Sequence, residues 1–319
     1  MSEHSRFRAE RGQASPEWVG LVLLVALLIS GALAGLGPMP LGVSLARSVG
    51  ARLICAIDLS DSCRRDPELT AAYGADLAQA AREHAPMIFY EHGMRALPID
   101  FRVCRSSTCG DAGGEGRVWR TEGGGPATAF VHVIDCRAGE PAPFAGTNRP
   151  ADCSGSRAGN LYIQYWLYYA ESATLRGAPV VGAKGYHLDD WESYQVRVGP
   201  DGDSDARASS HNGYNYAQGA QDWGSDAGIG IVRNATELVG LRNHNGWGPE
   251  IGFLFVSGGS HAGSVQAFLP NYSRLTPPRH LGLVPLEPVA AGERRAPHFA
   301  IPPPWSKQVW RDPEAQSTG

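Results

Sequence analysis

From Trp18 to Leu36 the chain carries no charged residue and is dominated by Leu, Val and Ala. A helix of about 20 such residues spans the hydrocarbon core of a bilayer. The pattern therefore predicts one transmembrane helix over residues 13–37. Small residues follow as a linker, and 67–84 (PELTAAYGADLAQAAREH) has helical spacing with Asp66 as a candidate cap. Linker and one short extra helix together fill 38–84. Beyond that the period shortens. The stretches 86–91 (PMIFYE), 99–104 (IDFRVC), 129–134 (AFVHVI), 161–169 (LYIQYWLYY), 190–198 (DWESYQVRV) and 251–257 (IGFLFVS) are short and rich in aromatic and β-branched residues. Several alternate, and Gly, Asp, Ser and Asn loops separate them. These features predict a mainly β fold, a β-sandwich over 85–289. Residues 202–250, poor in apolar runs, read as a long Gly/Asn-rich loop. Residues 290–319 read as a Pro-rich polar tail that packs only in part.

Composition agrees with a loop-rich β protein. Of 319 residues 40 are Gly and 23 Pro, while charged residues make up 19%. The net charge of −4 gives no reason to expect nucleic acid as a partner. Arg6, Arg8 and Arg11 precede the apolar run, and the flank after it is less basic close in. The positive-inside rule then keeps residues 1–12 in the cytoplasm as a leader and puts everything after about residue 37 outside. The run is longer than the roughly 7–15-residue core of a secretory signal peptide. Gly31 and Gly35 form a GxxxG pair in it, a possible dimerisation face. Six cysteines, at 55, 63, 104, 109, 136 and 153, all lie beyond the helix. An even number in an exported segment reads as disulfides. Short separations favour Cys55–Cys63, Cys104–Cys109 and Cys136–Cys153. The spacing is wrong for a zinc ribbon.

The residues before the helix, Gly12-Gln13-Ala14-Ser15-Pro16-Glu17-Trp18, resemble the processing site of class III signal peptides, those of the Flp and Tad pilins. The resemblance implies a cut by a prepilin peptidase between Gly12 and Gln13. Glu17 then becomes the fifth mature residue, at the edge of the membrane, where a carboxylate needs a partner. In pilins that partner is the terminal amine of a neighbouring subunit. Flp pilins are very short, so a chain of this length points to a pilin-like protein or a plain membrane anchor, not a major fibre subunit.

The densest chemical cluster is Tyr186-His187-Leu188-Asp189-Asp190-Trp191-Glu192. On a strand, Asp190 and Glu192 share one face and Trp191 takes the other, inward. His187 lies just before them. Two carboxylates with a His suit a hard divalent cation, Mg²⁺, Ca²⁺ or Mn²⁺, better than Zn²⁺. The competing reading is a buried His–Asp hydrogen bond with a solvated Glu. The segments IQYWLYY, HLDDWESYQVRV and FVSGGSHAGS, with HAPMIFYEHGMRALPIDF upstream, resemble the necrosis-inducing cytolysin superfamily, and most of all its vacuolar-protein-sorting-sixty-two-related branch. That resemblance covers about 85–267. It implies a β-sandwich and a divalent cation, Mg²⁺ or Ca²⁺, on His187, Asp190 and Glu192. The upstream acidic ligand of the cytolysins has no clear match; Glu171, at the end of the YWLYY strand, is the substitute, and His261, after a strand of the same sheet system, is a further candidate. Tyr186 and Asp189 stand where the cytolysin heptapeptide has a Gly and a second His, so plant cytolysis is not implied.

Tyr214, Asn215, Tyr216, Trp223, His244 and Trp247 dot the Gly-rich stretch. Aromatics with amides suit a sugar-binding surface, and equally suit pinning a long loop to a sheet. Three functions compete. The first is an anchored or pilin-like extracellular module, an adhesin or minor pilin, using a cation to recognise a glycan or lipid headgroup. The second is a metal-dependent surface hydrolase with Asp189 as base. The third is a structural assembly factor of a pilus or secretion system, in which the Asp-Trp-Glu strand is core architecture.

Overall fold

The computed structural model describes residues 66–138, 150–173, 186–210, 213–216, 246–267, 271–286 and 298–316. The predicted leader and transmembrane helix, with Gly12, Gln13 and Glu17, lie outside them, as do Cys55–Cys63, Trp223 and His244. Among the described residues no helix is long and apolar enough to cross a membrane. All of them fall in one compact unit, Ser60–Gly319.

The fold is mainly β. Where the sequence predicts one helix over 67–84, α1 (Pro67–Tyr73) and α2 (Ala75–Glu83) are separated by Gly74 at φ 84° and ψ 168°. That backbone conformation lies outside the helical region, and a residue without Cβ adopts it readily. Asp66 makes no side-chain cap. Its carboxylate instead accepts from Arg82 Nε at 2.7 Å, tying the start of α1 to the end of α2.

Among the described residues, twelve strands form two open sheets. The smaller runs in the order β10 (Gly263–Ser264), β9 (Phe253–Val256), β1 (Met87–Glu91), β11 (Tyr272–Thr276), β2 (Gly116–Arg117). The larger runs β12 (Gly282–Pro285), β3 (Thr128–Asp135), β4 (Leu161–Ser172), β5 (His187–Val198), β6 (Ser204–Ser210), β7 (Gly213–Asn215), and β8 (Gly248–Pro249) also pairs β6. Ile88, Tyr90, Leu254 and Val256 of the smaller sheet share one core with Val131, Ile163, Tyr165, Tyr169 and Tyr194 of the larger.

β4 explains its own sequence. Leu161, Ile163, Tyr165, Leu167 and Tyr169 enter that shared core, while Trp166 and Tyr168 enter a second cluster on the opposite face. A strand covered on both faces reads as a near-continuous apolar run instead of an alternation. The second cluster is closed by the C-terminal residues: Val309, Trp310 and Ala315 are buried in it, and Phe299, Ile301 and Trp305 pack against it. Of the tail expected to pack only in part, the described residues 298–316 cover the larger sheet's outer face. Pro-rich spacing hides this, because its apolar anchors follow no helical or strand period.

Two further expectations change. Residues 99–104 are a turn, not a strand, since Asp100 Oδ1 accepts from the Arg102 N–H at 2.9 Å and Asp100 O from Val103 and Cys104. The predicted loop 202–250 contains β6, β7 and β8 among its described residues. Cys104–Cys109 and Cys136–Cys153 are disulfides, as their spacing predicts.

Candidate functional site

β5 pairs with β4 along its whole length, but with β6 only from Tyr194 to Val198. Ahead of Tyr194 the β6 side of β5 is met by a side chain: Ser209 Oγ accepts from the Ser193 N–H at 2.6 Å and donates to Glu192 Oε2. The candidate residues lie on this stretch.

Asp190 stands opposite Tyr169 in register and, with Glu192 opposite Leu167, faces the shared core. Its carboxylate accepts a hydrogen bond from His261 Nδ1 at 2.8 Å, and both residues are buried. The imidazole of His261 stacks on the Tyr169 ring, with centroids 3.9 Å apart and planes 9° apart. The loop after β9 delivers His261. Glu91 Oε2 accepts from the Gly258 N–H at 2.6 Å, and Gly259 O accepts from Ala173 N at 2.7 Å and Ser172 Oγ at 3.2 Å. His261 sits in the left-handed region at φ 54°. That costs a non-glycine residue about 1–2 kcal/mol, which the buried bond to Asp190 and the stack on Tyr169 offset. The Tyr169 hydroxyl is buried and finds no hydrogen-bond partner among the described residues. Burial and the carboxylates of Asp190 and Glu192 push its pKa well up. Lys307, from the C-terminal segment, completes the electrostatics: burial pulls its ammonium down, and Glu192 and Asp190 oppose that pull.

Asp189 is a separate centre. It too is left-handed, at φ 57°. Its Oδ1 accepts from Tyr168 Oη at 2.6 Å and Arg105 Nη2 at 2.6 Å, and its Oδ2 from the Ala300 N–H at 2.7 Å. Arg105 also reaches His298 O at 2.7 Å. Burial works to raise the Asp189 carboxyl, but Tyr168, Arg105 and the Ala300 N–H outweigh it and hold it below the ordinary carboxylate range. A carboxylate held this way is a poor general base. Asp189 instead joins the Cys104–Cys109 loop, β4 and the C-terminal segment.

His187 opens β5 opposite Ser172 of β4, three residues before Asp190 and with the left-handed Asp189 between them. Its Nδ1 faces the carbonyl oxygens of Asp189 at 3.0 Å and Leu188 at 3.3 Å. Glu171 accepts from Tyr186 Oη at 2.8 Å. The donor types suit a hard cation, but among the described residues no three His, Cys, Asp or Glu side chains are grouped as its ligands. Trp191 packs among Phe101, Phe130, Tyr168 and Phe299, as the strand parity predicts.

The described aromatic residues of the Gly-rich stretch, Tyr214, Tyr216 and Trp247, pack onto the larger sheet and its core. Tyr214 is fully buried, and Gln195 Nε2 donates to its hydroxyl at 3.0 Å. Tyr216 packs against the shared core. Trp247 donates from Nε1 to Glu314 Oε2 at 2.8 Å. Tyr169, Ser209, Arg105 and Lys307 have no signal in the sequence, because nothing local places them beside β5.

No family model, no curated protein and no solved structure matches the chain.

Proposed function

We propose that this chain is a non-catalytic component of the cell surface, exported on its N-terminal anchor or as a pilin-like subunit, that serves in assembly. The observation carrying this is the use of β5: Asp189 ties down the C-terminal segment through Ala300, Asp190 ties down the His261 loop, and Glu192 ties β5 to Ser209 of β6. The residues with the most chemical potential join elements distant in sequence. The disulfides Cys104–Cys109 and Cys136–Cys153 support an oxidising location. Two sheets over one core support the β-sandwich reading. The mature N-terminus, read by mass spectrometry from native membranes, tests the export step: Gln13 is expected, and a chain beginning at Met1 contradicts the pilin-type signal.

A second reading is recognition of a glycan or lipid headgroup aided by Mg²⁺ or Ca²⁺. The Tyr169 hydroxyl, which has no hydrogen-bond partner among the described residues and feels the charges of Asp190 and Glu192, favours it. A cation there would have to take Asp190 from His261, so it predicts a response of stability to added cation.

A further inference from the structure

His132 of β3 stands opposite Gln164 of β4, Gln164 opposite Gln195 of β5, and Gln195 opposite Arg207 of β6. Four polar side chains thus form one row straight across four strands. Each is at most 1% exposed. Buried polar groups destabilise a sheet face unless each finds a partner, and here the partners are main-chain oxygens of the C-terminal segment. Gln164 Nε2 donates to Val309 O at 2.8 Å, His132 Nε2 to Trp310 O at 3.0 Å, and Arg207 Nη2 to Pro313 O at 2.7 Å. Gln195 holds Arg207, its Oε1 accepting from Nε at 3.0 Å. Burial pushes His132 down to about 3, so at neutral pH it is an uncharged donor.

Side chains of the segment add specificity. The Trp310 ring stacks on His132, with centroids 3.5 Å apart. Asp312 accepts from Arg157 Nε at 2.8 Å. The Glu314 carboxylate accepts from Arg197 at 3.0 Å, Tyr162 Oη at 2.8 Å and Trp247 Nε1 at 2.8 Å. The Cys136–Cys153 loop adds one wall, Asp152 N donating to Arg311 O at 2.8 Å. This is a peptide site: donors for main-chain carbonyls, an aromatic seat, and three arginines facing an acidic pair. It fits an aromatic-anchored acidic segment of the form Trp-x-Asp-Pro-Glu.

We propose that this track is an assembly site, and that the C-terminal segment of a second copy of the chain occupies it by exchange. None of these contacts belongs to a strand ladder continuous with the body, so an identical segment from a neighbour satisfies each of them equally. Charge complementarity is fixed by the sequence of the segment itself. The eleven residues 287–297 join it to β12; extended, they reach at most about 36 Å. The cis segment is favoured by its effective concentration, so exchange is favoured where copies are crowded, as on a membrane. Exchange of one element between identical protomers adds no new contact type. The inference deepens the assembly reading, but the track does not depend on how the chain is anchored.

The test uses two full-length variants with different mass tags. One carries Trp310→Ala with Glu314→Ala, a weakened segment over an intact track. The other carries Arg207→Met, an intact segment over a weakened track; Arg157→Met replaces it where circular dichroism shows that it does not fold. Native mass spectrometry of the mixture is expected to show a one-to-one complex that neither variant forms alone, and that a synthetic peptide of residues 298–316 in excess removes. Two folded variants that stay monomeric when mixed, or a complex that the peptide leaves intact, overturn the proposal.

Discussion

At the residue scale, Asp189 shows how a side chain that reads as catalytic can be architectural. Three donors from three parts of the chain converge on it, and Arg105 is its ion-pair partner. Removing Asp189 takes the charged acceptor from the partly exposed Arg105 and from the buried Tyr168 hydroxyl, which costs about 1.5–3 kcal/mol. Asp189→Ala is therefore expected to lose stability on that scale in urea unfolding, and a loss below about 1 kcal/mol, the range of exposed pairs, contradicts the assignment. Two histidines set opposite pH limits. His132 has its folded pKa depressed from 6.5 to about 3 by burial. Its contribution is complete above about 6.5 and is lost as pH falls toward 3, on the order of a few kcal/mol in all. His84 has its folded pKa raised, chiefly by the hydrogen bond to Glu250. Its contribution is complete below about 6.5 and is lost as pH rises through the folded value. His132→Gln is expected to flatten the acid limb of a stability–pH curve and His84→Gln the alkaline limb. An unchanged acid limb in His132→Gln contradicts the first. The parity of Asp190, Trp191 and Glu192 was legible because a strand alternates. The partners were not, since His261, Ser209 and Ala300 reach β5 only through tertiary contacts.

At the scale of elements, the strands with aromatic and β-branched runs were legible and the small polar ones were not. β6, Ser204-Asp205-Ala206-Arg207-Ala208-Ser209-Ser210, has no β signature of its own. It is a strand because β5, β7 and β8 pair with it, a context that overrides propensity. Residues 99–104 fail the other way: Ile99 and Phe101 are buried as an apolar pattern suggests, but Asp100 turns the chain. The C-terminal segment was the least legible, having neither period. Its dependence on one anchor is testable. Trp310→Ala removes a fully buried ring from the outer cluster and is expected to cost about 3–5 kcal/mol. Thermal unfolding with a shift matching a surface substitution, within about 0.5 kcal/mol, contradicts its role as cover.

At the scale of the whole molecule, the larger sheet is buried on both faces, by the smaller sheet on one side and by the chain's own C-terminal segment on the other. Both described disulfides lie where that segment is held: Arg105, between Cys104 and Cys109, reaches His298 O, and Asp152, beside Cys153, reaches Arg311 O. Composition and cysteine spacing made a disulfide-bearing, mainly β protein legible. The use of its chemical residues depends on which strands adjoin, which composition does not encode. The central claim is that Asp190 and its neighbours are architecture. The most direct test is thermal unfolding of the full-length protein in EDTA and after return of Ca²⁺ or Mg²⁺, for wild type and Asp190→Ala. A ligand that binds only the folded state adds about 2.7 kcal/mol at a hundredfold excess over Kd. The account predicts that the wild type melts at the same temperature with and without cation, and that Asp190→Ala melts lower in both conditions. A wild type that rises with cation, beside a mutant that does not, contradicts it and establishes the cation site instead.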